Sequence, residues 1–222
     1  MEIHNYLKSS LLDYPGKISC VVFTQGCPWR CWYCQNAELL PKIKGIVDEN
    51  EIFEFLKTRI GLVDGVVICG GEPTIQPDLE EFITKIKELG FPVKLDTNGT
   101  NPGVIKSLID KKLIDYVAMD FKTPLDKYDE VAKTHVDVEA IKKSIQILKE
   151  NKIDYEFRTT AIPTLSESDF LEIAKEIKGA KLFYIQHYVR QPSFNKSIPL
   201  YDDQTLNKIV LECNNYVKTK LR

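Results

Sequence analysis

Six short apolar segments, rich in β-branched residues, recur along the chain and each ends in polar residues or glycine. They are ISCVVF (18–23), GVVIC (65–69), PVKLD (92–96), DYVAM (115–119), DYEFRTT (154–160) and KLFYIQ (181–186). Short and nearly continuous apolar runs are typical of strands that are buried on both faces of a parallel sheet. The pattern therefore predicts six buried strands.

The segments between these strands carry apolar residues at helical spacing. The spacing predicts helices over residues 51–58, 78–88, 103–111, 138–150, 167–178 and 202–218. Asp48, Ser166 and Asp202 are of the residue types that cap helix N-termini, and Asp78 can be either a cap or an acid of the first turn.

Strands that alternate with helices predict right-handed βαβ crossovers and an α/β fold with a mainly parallel sheet. A closed eight-unit barrel typically takes about 250 residues. Six units in 222 residues therefore predict a single domain over residues 1–222, built as a partial (β/α)6 open TIM-like barrel. A doubly wound sheet is the alternative, and periodicity alone does not separate the two.

Composition and charge limit the classes of partner that we expect for this protein. A net charge of −2 gives no basic excess for nucleic acid, and no apolar run approaches a membrane span. The N-terminal segment lacks the pattern of a signal peptide. Six cysteines, three of them clustered, suit a reducing compartment better than a disulfide scaffold, so we expect a cytoplasmic protein without nucleic-acid or membrane partners.

The most informative motif is CPWRCWYC, in which Cys27, Cys31 and Cys34 follow the spacing C-x3-C-x2-C. Structural zinc sites and most iron–sulfur clusters take four protein ligands. No fourth Cys or His lies nearby, since the next cysteine is Cys69. The triplet therefore predicts a metal centre with one open coordination position. A partial zinc site and a set of structural thiols are the alternatives.

Polar motifs lie near the ends of the other predicted strands or directly after them. They are GGEP (70–73), DTNG (96–99), MDFK (119–122), RTT from Arg158, and QHY (186–188). Each motif alone is an ordinary turn or cap. In a parallel α/β barrel, however, the loops after the carboxyl ends of the strands form the active site. We therefore expect these motifs and the cysteine loop to meet on one rim.

CPWRCWYC resembles the cluster motif of the radical S-adenosylmethionine (SAM) enzymes. Longer stretches resemble the activating enzymes of glycyl radical enzymes, of the anaerobic ribonucleoside-triphosphate reductase type. The stretches are SSLLDYPGKISCVVFTQGCPWRCWYCQN, GVVICGGEPTIQPDL, VKLDTNGTNP, DYVAMDFKTPL and DYEFRTTAIP. The resemblance implies a [4Fe–4S] cluster on the three cysteines and SAM at its open iron. It also implies reductive cleavage of SAM to a 5′-deoxyadenosyl radical, which takes a hydrogen atom from a glycine of a partner enzyme.

The resemblance also implies a set of SAM contacts. It places Tyr33 beside the adenine, and it leaves Gln186 as an alternative to His187. For the methionine end of SAM, Glu72 can accept hydrogen bonds from the ammonium group and Arg158 can bind the carboxylate, unless Arg158 forms a surface ion pair instead. The implied contacts are Tyr33, Cys34, Gln35, Gly70, Gly71, Glu72, Asp96, Thr97, Asn98, Asp120, Lys122, Arg158 and His187.

Two of these positions carry a further expectation. Asp96 and Asp120 follow adjacent strands, and two carboxylates there repel unless a cation or a sugar hydroxyl lies between them. In a related activating enzyme the corresponding positions also hold a monovalent cation, so such a cation is included among the expected cofactors.

The absence of a second cysteine-rich segment implies an external electron donor, ferredoxin or flavodoxin. An open barrel suits a macromolecular substrate, either anaerobic ribonucleotide reductase or another glycyl radical enzyme. One alternative is a small-molecule radical SAM enzyme similar to 7-carboxy-7-deazaguanine synthase. Another is a non-catalytic protein in which the triplet binds zinc. The sequence indicates no role beyond surface or packing for His4, His135 and Cys213, and offers no physical account of LDYPGK (12–17).

Overall fold

The computed structural model describes residues 1–150, 152–190 and 198–222. Its strands are β1 (Ile3–Tyr14), β2 (Lys17–Thr24), β3 (Gly65–Gly70), β4 (Val93–Thr97), β5 (Tyr116–Asp120), β6 (Asp154–Thr160), β7 (Phe183–Gln186) and β8 (Thr219–Leu221). Its α-helices are α1 (Glu49–Lys57), α2 (Leu79–Glu88), α3 (Pro102–Asp110), α4 (Tyr128–Ala132), α5 (Val138–Lys149), α6 (Glu167–Glu176) and α7 (Asp203–Cys213).

All eight strands form one sheet in chain order from β1 to β8. The pair β1–β2 is antiparallel and every other neighbouring pair is parallel. Within the described residues no ladder joins β8 back to β1, so the sheet is curved but open. The predicted open α/β barrel with six parallel core strands, β2 to β7, is confirmed.

Two edge strands and one helix escaped the sequence analysis. β1 carries exposed Leu11 and Leu12 and no continuous apolar run, and β8 has only three residues. The short helix α4 was also not predicted. The predicted helix over 202–218 is wrong beyond Cys213, because the Asn214 side chain accepts a hydrogen bond from the Thr219 backbone N–H and turns the chain into β8.

Helix starts follow the capping chemistry at three of the four positions. Asp48 accepts from the Asn50 backbone N–H, and Asp202 accepts from that of Thr205. Ser166 lies at the N-cap of α6, where its backbone N–H donates to Asp169. Asp78 directly precedes α2 but makes no capping hydrogen bond.

The two faces of the sheet differ in character. Alternate strand residues, such as Val22, Ile68 and Leu95, pack in the large core between the sheet and its helices. The opposite, concave face has a small apolar cluster of Tyr14, Val21 and Val67. Towards β4, β5 and β6 this concave face carries the contacting charged side chains Lys94, Asp96, Asp120 and Arg158. Glu156 of β6 accepts a hydrogen bond from the Tyr116 hydroxyl.

No helix in the described ranges combines the length and the apolar character that crossing a bilayer requires.

Candidate active site: a cleft at the carboxyl ends of the strands

A cleft of about 430 Å³ opens where the core strands end. Loops that follow β2 to β7 supply its walls, as expected for a parallel barrel. Every residue that the sequence analysis assigned to the site lines this cleft, namely Cys27, Cys31, Tyr33, Cys34, Gln35, Gly70, Gly71, Glu72, Asp96, Thr97, Asn98, Asp120, Lys122, Arg158 and His187. The motifs thus meet on one rim, while the role of each residue towards a cofactor stays a prediction.

The cysteine loop after β2 is held by its own backbone and by α4. The backbone N–H of Cys27 donates to the Leu40 carbonyl at 3.1 Å. The Arg30 guanidinium donates to the Cys27 carbonyl at 2.7 Å, and the Arg30 backbone N–H donates to the Ala132 carbonyl at 2.8 Å. Trp29 packs edge-on against Tyr128, with ring centroids 5.6 Å apart. The loop is therefore held by contacts with α4 and with the Leu40 carbonyl.

Two thiols of this loop have raised pKa values: Cys27 is buried, and Cys31 is partly buried. Burial raises the pKa of Cys27 to about 12, and it also raises the pKa of Cys31, against the opposing charge of Lys122. None of the three loop cysteines forms a disulfide. A bound metal centre would therefore have to displace the protons of Cys27 and Cys31, as thiolate ligation requires.

The donor set fits an open iron–sulfur cluster better than a single ion. Across residues 1–150, 152–190 and 198–222, no three His, Cys, Asp or Glu side chains lie close enough to bind one metal ion. The thiolates of a [4Fe–4S] cluster ligate separate irons, so they need not converge on one point. Cys27, Cys31 and Cys34 nevertheless share one cleft wall.

The glycines of GGEP are required by packing against the cysteine loop. A Cβ atom on Gly70, whose φ is +119°, would lie 2.2 Å from the Thr24 backbone nitrogen. A Cβ atom on Gly71 would lie 2.1 Å from the Gly26 carbonyl oxygen. In this structure the two glycines allow close approach of the backbone at and after the end of β2. That they also allow close approach of a ligand remains a prediction.

Glu72 joins the loops that follow β3 and β4. One carboxylate oxygen accepts from the Thr74 backbone N–H at 3.0 Å and from the Thr97 hydroxyl at 2.7 Å, and the other accepts from the Asn98 backbone N–H at 2.7 Å. Burial raises the pKa of Glu72, and these hydrogen bonds oppose the rise. Glu72 thus already serves the protein's own donors, and its predicted contact with an ammonium group would come in addition.

Asp96 and Asp120 do face each other, and Arg158 lies between them. Its guanidinium is 2.8 Å from one oxygen of Asp96 and 2.8 Å from one oxygen of Asp120. The second oxygen of Asp96 pairs with Lys94, and the second oxygen of Asp120 pairs with Lys122 at 3.1 Å. The guanidinium of Arg158 is therefore paired with two carboxylates of the protein. A ligand carboxylate, its predicted partner, would have to compete with Asp96 and Asp120.

These ion pairs set the charge state of Asp120. Burial alone would raise the pKa of Asp120, but Arg158 and Lys122 outweigh burial and lower the pKa to about 2. In the same way, burial would lower the pKa of Lys122, whereas Asp120 raises it well above the usual range. All three groups are charged at neutral pH.

The residues with a part in the site that were not predicted include Asp13, Cys69, Trp29 and Lys94. Asp13 and Cys69 line the cleft, where burial raises the pKa of the Cys69 thiol. Trp29 also lines it and braces the cysteine loop. Lys94 pairs with Asp96 and is 1% exposed. A signal for Lys94 was available, because a lysine inside an apolar strand run and two residues before an aspartate shares that aspartate's face of the strand.

The histidines and the last cysteine differ in their surroundings. His187 lines the cleft together with Gln186, so the two candidates stay unresolved. His4 contacts Gln25 at 2.9 Å, and exposed His135 contacts Asp129 at 3.0 Å. Buried Cys213 lies against the Phe170 carbonyl. These last three contacts fit packing or surface roles.

Comparison with known proteins identifies the family. The family model of the radical SAM superfamily matches residues 21–177. A Methanocaldococcus jannaschii protein named as a glycyl-radical enzyme activating enzyme, MJ1227, is 40% identical over 217 residues, which cover 94% of this chain and 90% of the relative. The pyruvate formate-lyase-activating enzyme of Staphylococcus aureus is 36% identical over 103 residues, covering 43% of this chain and 41% of the relative.

The fold has a close counterpart among solved structures. Streptococcus suis SuiB, in a crystal structure bound to S-adenosylmethionine, superimposes with a TM-score of 0.71 at 16% identity, over 89% of this chain and 48% of that protein. Similarity at this low identity shows the fold alone. Taken with the family model and the archaeal relative, it leads to one assignment: the chain belongs to the radical SAM superfamily and, within it, to the glycyl-radical-enzyme activating enzymes.

Proposed function

We propose that this enzyme generates a glycyl radical on a partner enzyme, and that the partner is the anaerobic ribonucleotide reductase or another glycyl radical enzyme. The observation that carries the proposal is the meeting of three free thiols with the GGEP, DTNG, MDFK and Arg158 positions on one cleft. The family implies a [4Fe–4S] cluster and SAM, and together these supply the one-electron cleavage that yields a hydrogen-abstracting radical.

The residues of this chain would hold the cluster, orient SAM and exclude water from the cleft. Cys27, Cys31 and Cys34 would hold the cluster, and the brace from Arg30 to α4 keeps their loop in place. Tyr33 forms part of the cleft wall, with the Lys122 ammonium 5.8 Å from its ring centroid. Burial excludes water from this wall, which strengthens the charge interactions inside it.

The remaining predicted SAM contacts belong to this proposal. Four of them line the cleft together with Asp120 and Arg158 and can donate or accept hydrogen bonds there, namely Gln35, Thr97, Asn98 and His187. Gly70 and Gly71 would present backbone groups, and Glu72 and Asp120 carboxylates, to the polar ends of SAM. A monovalent cation beside Asp96 is not part of the proposal, because Arg158 already lies between the two carboxylates.

The partner proposal rests on the long resemblance and on the open sheet. An open edge between β8 and β1 leaves room for a loop of a macromolecule, whereas a small metabolite needs enclosure. The electron would come from a ferredoxin or a flavodoxin, since the described chain has one cysteine cluster and the other cysteines lie singly in strands or helices.

The test is an anaerobic activation assay with the anaerobic ribonucleotide reductase of the same cell. Reconstituted enzyme, dithionite, SAM and the reductase are expected to give a glycyl doublet in the EPR spectrum. The Cys31→Ala enzyme should give none, while Cys213→Ala, which lies outside the cleft, should behave as wild type. If 5′-deoxyadenosine forms but neither this reductase nor any other glycyl radical enzyme of the cell gains a doublet, the proposed substrate class is wrong.

A further inference from the structure

Two carboxylates on the concave face share one guanidinium. Asp96 is the penultimate residue of β4 and Asp120 is the last residue of β5, and Arg158 lies directly opposite Asp120 in the β5–β6 register. Arg158 is 2.8 Å from an oxygen of each carboxylate. The parallel strand order β4–β5–β6 thus fixes a cation between two anions without any added ion.

The remaining carboxylate oxygens also have cationic partners. Lys94 pairs with the second oxygen of Asp96, and Lys122 pairs with the second oxygen of Asp120 at 3.1 Å. Three cations therefore face two anions, and the group carries an excess of one positive charge. Arg158 is only 13% exposed and Lys94 only 1%, so water screens these charges weakly.

A further monovalent cation would not fit this arrangement. It would need carboxylate oxygens that Lys94, Arg158 and Lys122 already occupy. It would also lie beside the Arg158 guanidinium, and a like charge at that distance is repelled. The sequence predicted that a cation or a sugar hydroxyl must separate Asp96 from Asp120, because the two carboxylates repel each other. The Arg158 guanidinium removes this repulsion.

We propose that Arg158, supported by Lys94 and Lys122, takes the place that a monovalent cation would occupy between Asp96 and Asp120. The enzyme consequently folds and binds SAM without a requirement for potassium or sodium. Removing the guanidinium alone leaves two carboxylates facing each other on neighbouring strand ends. Such a pair should acquire a cation site that the native chain lacks.

The experiment compares chloride salts of potassium, sodium and tetramethylammonium at equal ionic strength. The reconstituted enzyme is used before reduction, so that no turnover occurs. One arm measures the thermal unfolding midpoint without SAM, and it is independent of the proposed function. The other arm measures the SAM dissociation constant by equilibrium dialysis, and it rests on the proposed function.

Wild type is expected to give the same midpoint and the same dissociation constant in all three salts. The Arg158→Gln variant should gain midpoint in potassium or sodium, and should bind SAM about tenfold more tightly there than in tetramethylammonium, as restored charge pairing predicts. Arg59→Gln is the matched control, because Arg59 lies over Phe55 outside the cleft, and it should show no response to the cation.

Two results would overturn the proposal. One is a wild-type midpoint or dissociation constant that depends on potassium or sodium, which alone decides the matter even if Arg158→Gln does not fold. The other is a folded Arg158→Gln variant without any cation response. A wild type whose midpoint is insensitive to the cation but which fails to bind SAM in every salt would support the assignment of Arg158 between Asp96 and Asp120 and contradict the proposed function instead.

Discussion

Charged side chains on the concave face stabilise one another in place of water. Lys94 is almost completely buried, and its ammonium group pairs with Asp96. Its chain also lies beside the Tyr116 ring, 6.0 Å from the ring centroid. Removing one partner of a buried ion pair leaves the other charge buried without a counter-charge. The resulting loss of stability is larger than the net stabilisation that the intact pair provides.

Lys94→Met is therefore expected to destabilise the fold. The substitution keeps the length of the side chain but leaves one oxygen of Asp96 without a cation, so the free energy of unfolding should fall by about 3–5 kcal/mol. Urea unfolding measures the change. The matched control is Lys85→Met, which removes an exposed pair with Glu81 on α2 and should cost less than about 0.5 kcal/mol. Equal losses in the two variants would contradict the account.

Asp120 gives a prediction for acid stability. Its pKa falls from the ordinary aspartate value of 3.8 to about 2 in the folded protein, because Arg158 and Lys122 outweigh its burial. A lowered pKa contributes stability that is fully present above pH about 4 and is lost as the pH falls towards about 2. The urea midpoint of Asp120→Asn should therefore vary less between these pH values than that of wild type. Parallel pH profiles would show that the ion pairs do not act on Asp120 as described.

At the scale of residues, motifs predicted membership of the site but not the partners within it. Cys27, Glu72 and Arg158 could be selected because each lies in a motif near the end of a predicted strand or directly after it. The sequence placed Asp96 and Asp120 at adjacent strands, but whether Arg158 meets both depends on the strand register and on side-chain placement, which the periodicity did not determine. The donors to Glu72 come from two different loops, and for the same reason they were not foreseen.

Among the elements, the junction between β2 and β3 positions the cysteine loop. The backbone N–H of Gly71 donates to the Thr24 carbonyl and that of Glu72 donates to the Gly26 carbonyl, both at 2.9 Å. These bonds bring the GGEP turn against the start of the loop. A side chain at Gly71 would collide with backbone atoms, which cannot move as the end of a flexible side chain can.

Gly71→Ala should therefore disturb both stability and cluster assembly. We expect a lower thermal midpoint and a reduced iron content after reconstitution, because the added methyl group separates the turn from the cysteine loop. Gly103→Ala is the control, since a Cβ atom there meets no atom within 4 Å and an alanine in α3 should be neutral or stabilising. An iron content in Gly71→Ala equal to that of the control would refute the structural role of this junction.

The elements that the sequence predicted are those that a buried environment defines. The six parallel core strands carry continuous apolar runs because helices cover them, whereas β1 is an edge strand with a mostly exposed burial pattern. β8 and α4 are short, with three and five residues, so neither contains two full periods of its pattern. Tertiary pairing defines these three elements, and local sequence does not.

At the scale of the whole molecule, the sheet has one open side and a divided concave face. Its apolar part lies against β1, β2 and β3, and its charged part lies on β4, β5 and β6. The cleft at the carboxyl ends of the strands is lined both by the cysteine loop and by residues of the charged part. The three thiols and the polar groups of the charged part therefore line the same cleft.

The account depends above all on a cluster that three cysteines hold and that cleaves SAM. The most direct measurement is 5′-deoxyadenosine release from SAM after anaerobic reconstitution and addition of dithionite, with metal analysis of the same sample. We predict about four irons and four sulfides per chain and release of 5′-deoxyadenosine, both abolished in Cys27→Ala. Stoichiometric zinc in place of iron and sulfide, or a full iron–sulfur complement without any 5′-deoxyadenosine, would contradict the account.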